Sequence, residues 1–166
     1  VRLPQPVIAA VEGIATAAGC QLVASCDIAF ASNEARFATP GVNIGLFCST
    51  PMVALSRNVA PKHAMEMLLS GELMDADHAM RIGLVNRVTS VGETRAAALA
   101  FAESVASRSG YTVKIGKQAF YKQQELSLDE AYDYASDVMA ENMMARDAEE
   151  GIGAFIEKRE PKWEGQ

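Results

Sequence analysis

The sequence predicts an α/β fold whose second half is almost entirely helical. Short apolar runs rich in β-branched residues, each closed by turn residues, fill the region up to about residue 90. Beyond that point, apolar residues recur at helical spacing. No Gly/Ser-rich linker separates the two parts, 1–90 and 91–166, so we expect them to pack together.

Turn-forming and capping residues mark the boundaries of the first strands and the first helix. The run from Pro6 is short and apolar and stops at Glu12-Gly13, which predicts a strand over 7–12 that is buried on both faces. Thr16 can cap a helix whose first turn carries only small side chains. Two further strands are predicted over 27–31 and 35–38, separated by a turn.

The segment 39–51 holds two Pro and two Gly in thirteen residues, which excludes a regular element throughout and predicts a loop that lines a site. Helices are predicted next over 52–59 and 62–69, with Pro61 at a first helical position. A short helix capped by Asp75 and closed by Gly83 comes before a strand over 84–88. The chain continues with a helix over 96–107 and a helix from Leu128 that begins with a capping box, Ser127 to Glu130.

Charge and composition exclude several classes of protein. Fifteen Lys and Arg against twenty-one Asp and Glu give a net charge of −6, which disfavours a nucleic-acid partner. Asp27 interrupts the longest apolar run before it reaches the roughly 18 residues of a membrane span, and no signal peptide opens the chain. We expect a soluble, unsecreted protein. Its three cysteines lack paired spacing, so they predict reduced core thiols and no metal site.

The clearest chemical signal is the start of the helix at 17–21. First-turn N–H groups have no intrahelical acceptor, and small side chains let a phosphate or a developing oxyanion approach them. The simpler interpretation is that the small residues let the helix pack closely on its strand. Other nucleophile and base signals are weak, because Ser25 and Ser49 lack the flanking glycines of a GxSxG turn and His63 and His78 are expected to face water.

Four segments together resemble the crotonase superfamily, the enoyl-CoA hydratases and isomerases, with the closest likeness to the enoyl-CoA hydratase domain-containing proteins. They are PVIAAVEGIATAAGCQLVASCDIAFAS, FATPGVNIGL, AMEMLLSGELMDADHAMRIGLVNRV and DAEEGIGAFIEKREPKW. Several motifs agree in order and spacing, and the resemblance covers essentially the whole chain. The chain starts at Val1 without Met, and we expect the N-terminal part of the family domain to be missing.

The resemblance implies a crotonase-like spiral of ββα turns with a helical C-terminal region that mediates trimer contacts. Residues 1–90 would be the C-terminal part of the spiral core and 91–166 the oligomerisation region, in a homotrimer or hexamer. The substrate would be an acyl-CoA thioester, with no further cofactor. The family holds the thioester carbonyl between two backbone N–H groups, of which one corresponds to Ala18 and the other precedes Val1. Lys158 matches a lysine near the coenzyme A phosphates, and Phe155 matches a residue of the acyl pocket.

The departures from the family pattern fall on the catalytic positions. The two glutamates of enoyl-CoA hydratases correspond to Gln21 and Gly41, and the aspartate of dienoyl-CoA isomerases corresponds to Ser49. The simple isomerases also need their acid at the place of Gly41. Without these carboxylates, neither hydration nor isomerisation by the family mechanisms is expected. The predicted catalytic set is therefore Ala18, Gln21, Gly41 and Ser49, with Lys158 and Phe155 for binding.

The leading hypothesis is an acyl-CoA-binding family member that acts on a thioester in fatty-acid or related metabolism, in a bacterial cytoplasm or the mitochondrial matrix. The alternatives are a catalytically silent acyl-CoA-binding or regulatory protein, and a thioesterase or decarboxylase in which Ser49 or a water oriented by Gln21 replaces the glutamates. Peptidase activity is least favoured because no Ser–His pair is evident. Met139, Met143 and Met144 lie at helical spacing and predict an oligomer interface.

Overall fold

The structure is a computed structural model that describes residues 1–166. The chain forms two compact units, one of residues 7–102 and one of residues 1–6 and 103–166. The boundary near 102 lies beyond residue 90, where the sequence changes character. The division of the family domain at residue 90 stays a prediction.

The unit of residues 7–102 contains two three-stranded sheets. Their strands are β1 (Ile8–Val11), β2 (Ile14–Thr16), β3 (Ile28–Ser32), β4 (Arg36–Ala38), β5 (Met74–Asp75) and β6 (Arg87–Thr89). The first has the order β1-β3-β6 and is parallel throughout, with Ile8 opposite Ile28 and Phe30 opposite Arg87. The second has the order β2-β4-β5, in which β2 and β4 are parallel and β4 and β5 antiparallel.

Helices connect and cover these strands. The same unit holds α1 (Ala18–Ser25), a 3-10 helix (Pro40–Ile44), α2 (Ser49–Asn58), α3 (Pro61–Ser70), α4 (Ala76–Arg81) and most of α5 (Thr94–Ala106). Its core includes Phe37, Leu55, Met67 and Leu68, all almost fully buried. The α/β prediction is confirmed. The expectation that the strand over 7–12 is buried on both faces is wrong, because β1 lies at the edge of its sheet and leaves Ala10 exposed and its other residues half-buried. The buried strand is the central one, β3, whose Phe30 and Ala31 are almost inaccessible to solvent.

Several predicted boundaries are confirmed. The strands predicted over 7–12, 27–31 and 35–38 correspond to β1, β3 and β4. Pro61 occupies the first position of α3, where its missing N–H costs nothing. Asp75 caps α4 by accepting a 2.7 Å hydrogen bond from the His78 N–H, and Gly83 follows that helix with a φ of +86°.

Other expectations are wrong in detail. The residue that caps α1 is Ala17 rather than Thr16, and it makes no side-chain cap. The strand predicted over 84–88 is paired only over Arg87–Thr89, because the Asn86 N–H bonds the Ala29 carbonyl and its side chain accepts from the Ala29 N–H. Helix α2 begins at Ser49, three residues earlier than expected, inside the segment predicted as a loop.

The second unit consists of α6 (Gly110–Gln123), α7 (Leu128–Met143), α8 (Arg146–Glu157) and the chain that follows, together with the end of α5. The predicted capping box is present, since Glu130 accepts hydrogen bonds from the N–H and the hydroxyl of Ser127. The indole N–H of Trp163 donates a 2.9 Å hydrogen bond to the Ser107 carbonyl, and this bond holds the C-terminal segment in place.

Met139, Met143 and Met144 are exposed, Met144 to 87%. Their exposure is consistent with the predicted interface, which stays a prediction. None of the helices has the length and apolar character that crossing a bilayer requires.

Candidate active site

The backbone at the start of α1 is strained. Ala17 has φ 48° and ψ −113°, outside the regions that non-glycine residues normally occupy, and such a residue costs about 1–3 kcal/mol. Its N–H donates to the Ala38 carbonyl at 3.0 Å, and its carbonyl accepts from the Gln21 N–H at 3.0 Å. These bonds tie the residue to β4 and to α1. Because Ala17 has no polar side chain, α1 begins without a side-chain cap. The N–H of Ala18, the first residue of α1, has no intrahelical acceptor.

The side chains around this helix start carry little acid–base capacity. Gln21 lies three residues after Ala18, hence on the same face of α1, and is half-buried. Its amide can donate and accept hydrogen bonds but does not exchange a proton near neutral pH. Cys20 is 1% exposed, and burial, together with the neighbouring Cys48, raises the pKa of its thiol to about 11. Cys20 is therefore a protonated core thiol and not a nucleophile.

The segment after Thr39 folds back over Gly41. The Leu46 N–H donates to the Gly41 carbonyl at 2.9 Å, and Gly45 makes the turn with a φ of +77°. A Cβ placed on Gly41 would lie 2.7 Å from the Leu46 carbonyl oxygen and 2.9 Å from the Cys48 Sγ. Real Cβ atoms do not approach other atoms so closely, so this backbone leaves no room for a side chain at position 41.

Three other polar side chains lie on the same segment. Thr39 is fully buried, and its hydroxyl oxygen has no hydrogen-bond partner. The Asn43 amide donates to the Gly71 carbonyl at 3.5 Å, which connects the segment to the end of α3. Ser49 is exposed, and its hydroxyl donates to the Phe47 carbonyl at 3.3 Å.

Cys48 brings the two parts of the candidate site together, since its thiol adjoins both Cys20 on α1 and Gly41. The predicted residues Ala18, Gln21, Gly41 and Ser49 all belong to the unit of residues 7–102. The arrangement offers a peptide N–H donor, an amide and a hydroxyl. It places no carboxylate at either position 21 or position 41.

Comparison with known proteins decides the family. The sequence model of the enoyl-CoA hydratase/isomerase family matches residues 1–166, the whole chain. The chain belongs to the enoyl-CoA hydratase/isomerase family. Among curated relatives, the mitochondrial enoyl-CoA hydratase domain-containing protein 3 of Rattus norvegicus is 52% identical over 160 residues, which are 96% of this chain and 53% of the relative. The chain thus spans about half the length of the curated relatives it matches.

Solved structures of the family agree with the fold. An enoyl-CoA hydratase from Mycobacterium smegmatis superposes with a TM-score of 0.95 at 53% identity, over 98% of this chain and 63% of that protein. Human enoyl-coenzyme A hydratase domain-containing protein 3 gives a TM-score of 0.93 at 52% identity, over 96% of this chain and 63% of the human one. The predicted crotonase-like fold is confirmed.

The two residues predicted to contact coenzyme A lie on the second unit of this family member. Phe155 is 85% exposed on α8, and Lys158 follows that helix, exposed, in a left-handed conformation with φ 56°. A second basic residue, Arg159, follows Lys158 directly in the chain. Arg159 forms a bidentate pair with Glu150 at 2.7 and 2.9 Å and a 2.6 Å bond with Glu157, so its charge is compensated.

Sequence reasoning missed two features of this enoyl-CoA hydratase/isomerase family site. The strain at Ala17 has no sequence signal, because alanine is not a residue that marks positive φ. The closure over Gly41 could be suspected from the paired glycines Gly41 and Gly45, but the position of Cys48 above Gly41 required the fold. Both features concern backbone geometry rather than residue type.

Proposed function

We propose that this protein binds an acyl-CoA thioester and acts on it without the two-glutamate chemistry of enoyl-CoA hydration, in fatty-acid or related metabolism. The Ala18 N–H donates a hydrogen bond to the thioester carbonyl oxygen. A preorganised donor of this kind contributes about 3 kcal/mol where negative charge develops on that oxygen. No cofactor besides the coenzyme A of the substrate takes part.

The observation that carries this proposal is the closure over Gly41. The Leu46 carbonyl and the Cys48 thiol occupy the space that a side chain at position 41 would enter. A catalytic carboxylate cannot extend from this position without moving the backbone of the 45–48 turn. At the other position, Gln21 cannot act as acid or base, and general acid–base partners typically contribute about 10²–10⁴ in rate.

A second candidate function is acyl-CoA binding without turnover, in a sequestering or regulatory role. The burial of Cys20 and the hydrogen bond of the Ser49 hydroxyl to the Phe47 carbonyl favour it, because neither group is prepared as a nucleophile. Thioester hydrolysis or decarboxylation, with Ser49 or a water held by Gln21, is the remaining enzymatic option within the proposal.

Assembly and location complete the proposal. Exposed apolar side chains on α7 and α8, Met143 and Phe155 among them, are suited to contacts between subunits of a homotrimer or hexamer. The mitochondrial relatives support a mitochondrial location, for which we propose the matrix, and a bacterial cytoplasm is the alternative.

The test begins with the intact mass of the purified protein, which establishes which residues are present. Calorimetry with a panel of crotonyl-, malonyl-, methylmalonyl- and short straight-chain acyl-CoAs should then show saturable binding. Loss of enoyl absorbance from crotonyl-CoA measures hydration, and release of free thiol measures hydrolysis. Binding with no hydration is expected. Hydration of crotonyl-CoA at rates typical of enzymes would overturn the mechanism, and absence of binding to every thioester would overturn the whole proposal.

Turnover separates the two candidate functions. Release of free coenzyme A or of carbon dioxide from any thioester, reduced in the Gln21→Ala variant, identifies an enzyme. Binding with no turnover across the panel identifies the silent alternative. Gln118→Ala, an exposed change on α6, serves as the matched control and should alter neither binding nor turnover.

A further inference from the structure

The two histidines of the chain, fifteen residues apart in sequence, meet on the surface of the unit of residues 7–102. His63 lies in the first turn of α3 and His78 on α4. Their rings are in edge contact, with centroids 6.2 Å apart and planes at 89°. Glu66, one turn along α3 from His63, places a carboxylate oxygen 3.7 Å from the His63 Nδ1. The expectation that each histidine simply faces water missed this association.

The candidate ligand atoms of these three residues lie almost as close to one another as the ligand atoms of a single metal ion do. One nitrogen from each imidazole and one oxygen of the carboxylate all lie within 4.8 Å of one another. Zinc bonds of about 2.0–2.2 Å place tetrahedral ligand atoms about 3.4 Å apart. His63 and Glu66 are exposed at their side chains, to 46% and 63%, so rotation about side-chain bonds can close the difference without moving either helix.

The backbone beneath the cluster is already fixed. Ala64 and Ala79, the neighbours of the two histidines, are buried in the core. The His78 N–H is held by the capping carboxylate of Asp75 at 2.7 Å. The two helices therefore present their side chains from an ordered surface, and an ion can bind without folding a segment first.

We propose that His63, Glu66 and His78 bind one divalent transition-metal ion, Zn²⁺, with water in the remaining coordination position. Two imidazole nitrogens and one carboxylate oxygen are a donor set typical of zinc, whereas magnesium and calcium prefer oxygen ligands alone. The ion bridges α3 and α4 and stabilises their packing.

This site is separate from the candidate active site. His63 lies at the beginning of α3, whereas Gly71, at the end of that helix, contacts Asn43 of the Gly41 segment. Eight residues of helix separate the two points by about 12 Å. The zinc proposal and the acyl-CoA proposal can therefore succeed or fail independently.

Calorimetric titration of tag-free, chelator-treated protein with zinc chloride tests the proposal. One zinc ion per chain is expected, with His63→Gln, His78→Gln and Glu66→Gln each weakening affinity by about tenfold or more. Glu72→Gln, a change of the same kind at an exposed residue outside the cluster, should leave binding unchanged. Zinc should also raise the unfolding temperature of the parent protein but not that of His63→Gln.

The absence of saturable binding up to about 1 mM zinc would overturn the proposal. Binding that persists in the double His63→Gln/His78→Gln variant would overturn it as well.

Cobalt provides a second readout that names the ligands. Because the chain has only two histidines, its proton NMR spectrum has only two sets of imidazole signals. Stoichiometric Co²⁺ should shift or broaden both sets together, and zinc should compete with it. A response of one histidine alone, or of neither, would contradict a shared site.

Discussion

The buried hydroxyl of Ser109 donates a 2.5 Å hydrogen bond to the carboxylate of Asp147 and thereby joins the start of α6 to the first turn of α8. Asp147, only 2% exposed, also accepts from the N–H groups of Glu164 and Gly165, which hold the C-terminal segment. The Ser109 hydroxyl first, and the two N–H groups after it, lower the pKa of Asp147 against the opposing effect of burial. One carboxylate thus connects three parts of the second unit.

The stability of this unit should depend on the ionisation of Asp147. Because its pKa is lower in the folded state, its contribution is fully present above the unfolded value of about 3.9 and is lost as pH falls through the lowered folded pKa. Asp147→Asn should lower the unfolding temperature near pH 7 by about 4–8 °C. Thermal scans at decreasing pH should show that difference narrow below about pH 4. Asp133→Asn, a change at an exposed residue of α7, is the control. If the unfolding temperature of Asp147→Asn stays below that of the parent by the same amount at every pH, the assignment is wrong.

The pKa of a second carboxylate, Glu150, should depend directly on its partner, Arg159. The bidentate hydrogen bonds from Arg159, supported by the Lys162 N–H, lower the pKa of Glu150 to about 2. In Arg159→Gln this pKa should rise toward the ordinary value of about 4.3, and Arg159→Lys should restore only part of the shift because an ammonium cannot bind both oxygens in plane. Carboxyl NMR titration measures the change. A Glu150 pKa that is unaltered in Arg159→Gln would contradict the pairing.

The Cys20 thiol should resist modification in the folded protein. Burial is the main reason that its pKa is about 11, and little thiolate forms at pH 8. Iodoacetamide followed by peptide mass spectrometry should label Cys20 only after denaturation. Denatured protein treated in parallel serves as the control. Rapid labelling of Cys20 in folded protein would show that the core around α1 opens.

The elements that could be predicted are those with strong local signals. Pro61 and Asp75 mark helix starts by chemistry that acts within one turn, and the apolar runs of β1 and β3 mark strands by their residue types. Burial was predicted for β1 and is found in β3, because burial depends on which neighbours cover each strand. The two-residue β5 has no such signal. It exists because Met74 pairs with Phe37 of β4, a contact between residues far apart in the chain.

The candidate site divides along the same line. Residue identities at Gln21 and Gly41, and the small residues that open α1, could be interpreted from the sequence because they decide which groups are present. The turn that covers Gly41 and the meeting of His63 with His78 could not, since both depend on how separate segments are packed. The sequence identifies the groups at positions 21 and 41, and the packing shows that the Leu46 carbonyl and the Cys48 sulfur fill the space beside Gly41.

Position 41 should reject even the smallest side chain. In Gly41→Ala, the new methyl group meets the Leu46 carbonyl oxygen and the Cys48 sulfur, and overpacking of this kind typically costs about 1–3 kcal/mol. Gly13→Ala is the matched control, because a Cβ there has no atom within 4 Å. Urea denaturation should show a lower free energy of unfolding for Gly41→Ala alone. Equal stability of the two variants would mean that the 45–48 turn adapts, and the steric argument against a carboxylate at position 41 would fail.

Restoring one carboxylate should not restore hydration. Gln21→Glu returns a titratable group to α1, yet the chemistry needs a second acid–base group, and the closure over Gly41 leaves no place for it. Hydration of crotonyl-CoA by Gln21→Glu should therefore stay within about tenfold of the parent rate, below the 10²–10⁴ that a working partner supplies. Gln118→Glu, exposed on α6, controls for the added charge. A gain of about 10² or more in Gln21→Glu alone would show that one carboxylate beside the Ala18 N–H is sufficient, and that Gln21 rather than Gly41 is what prevents hydration.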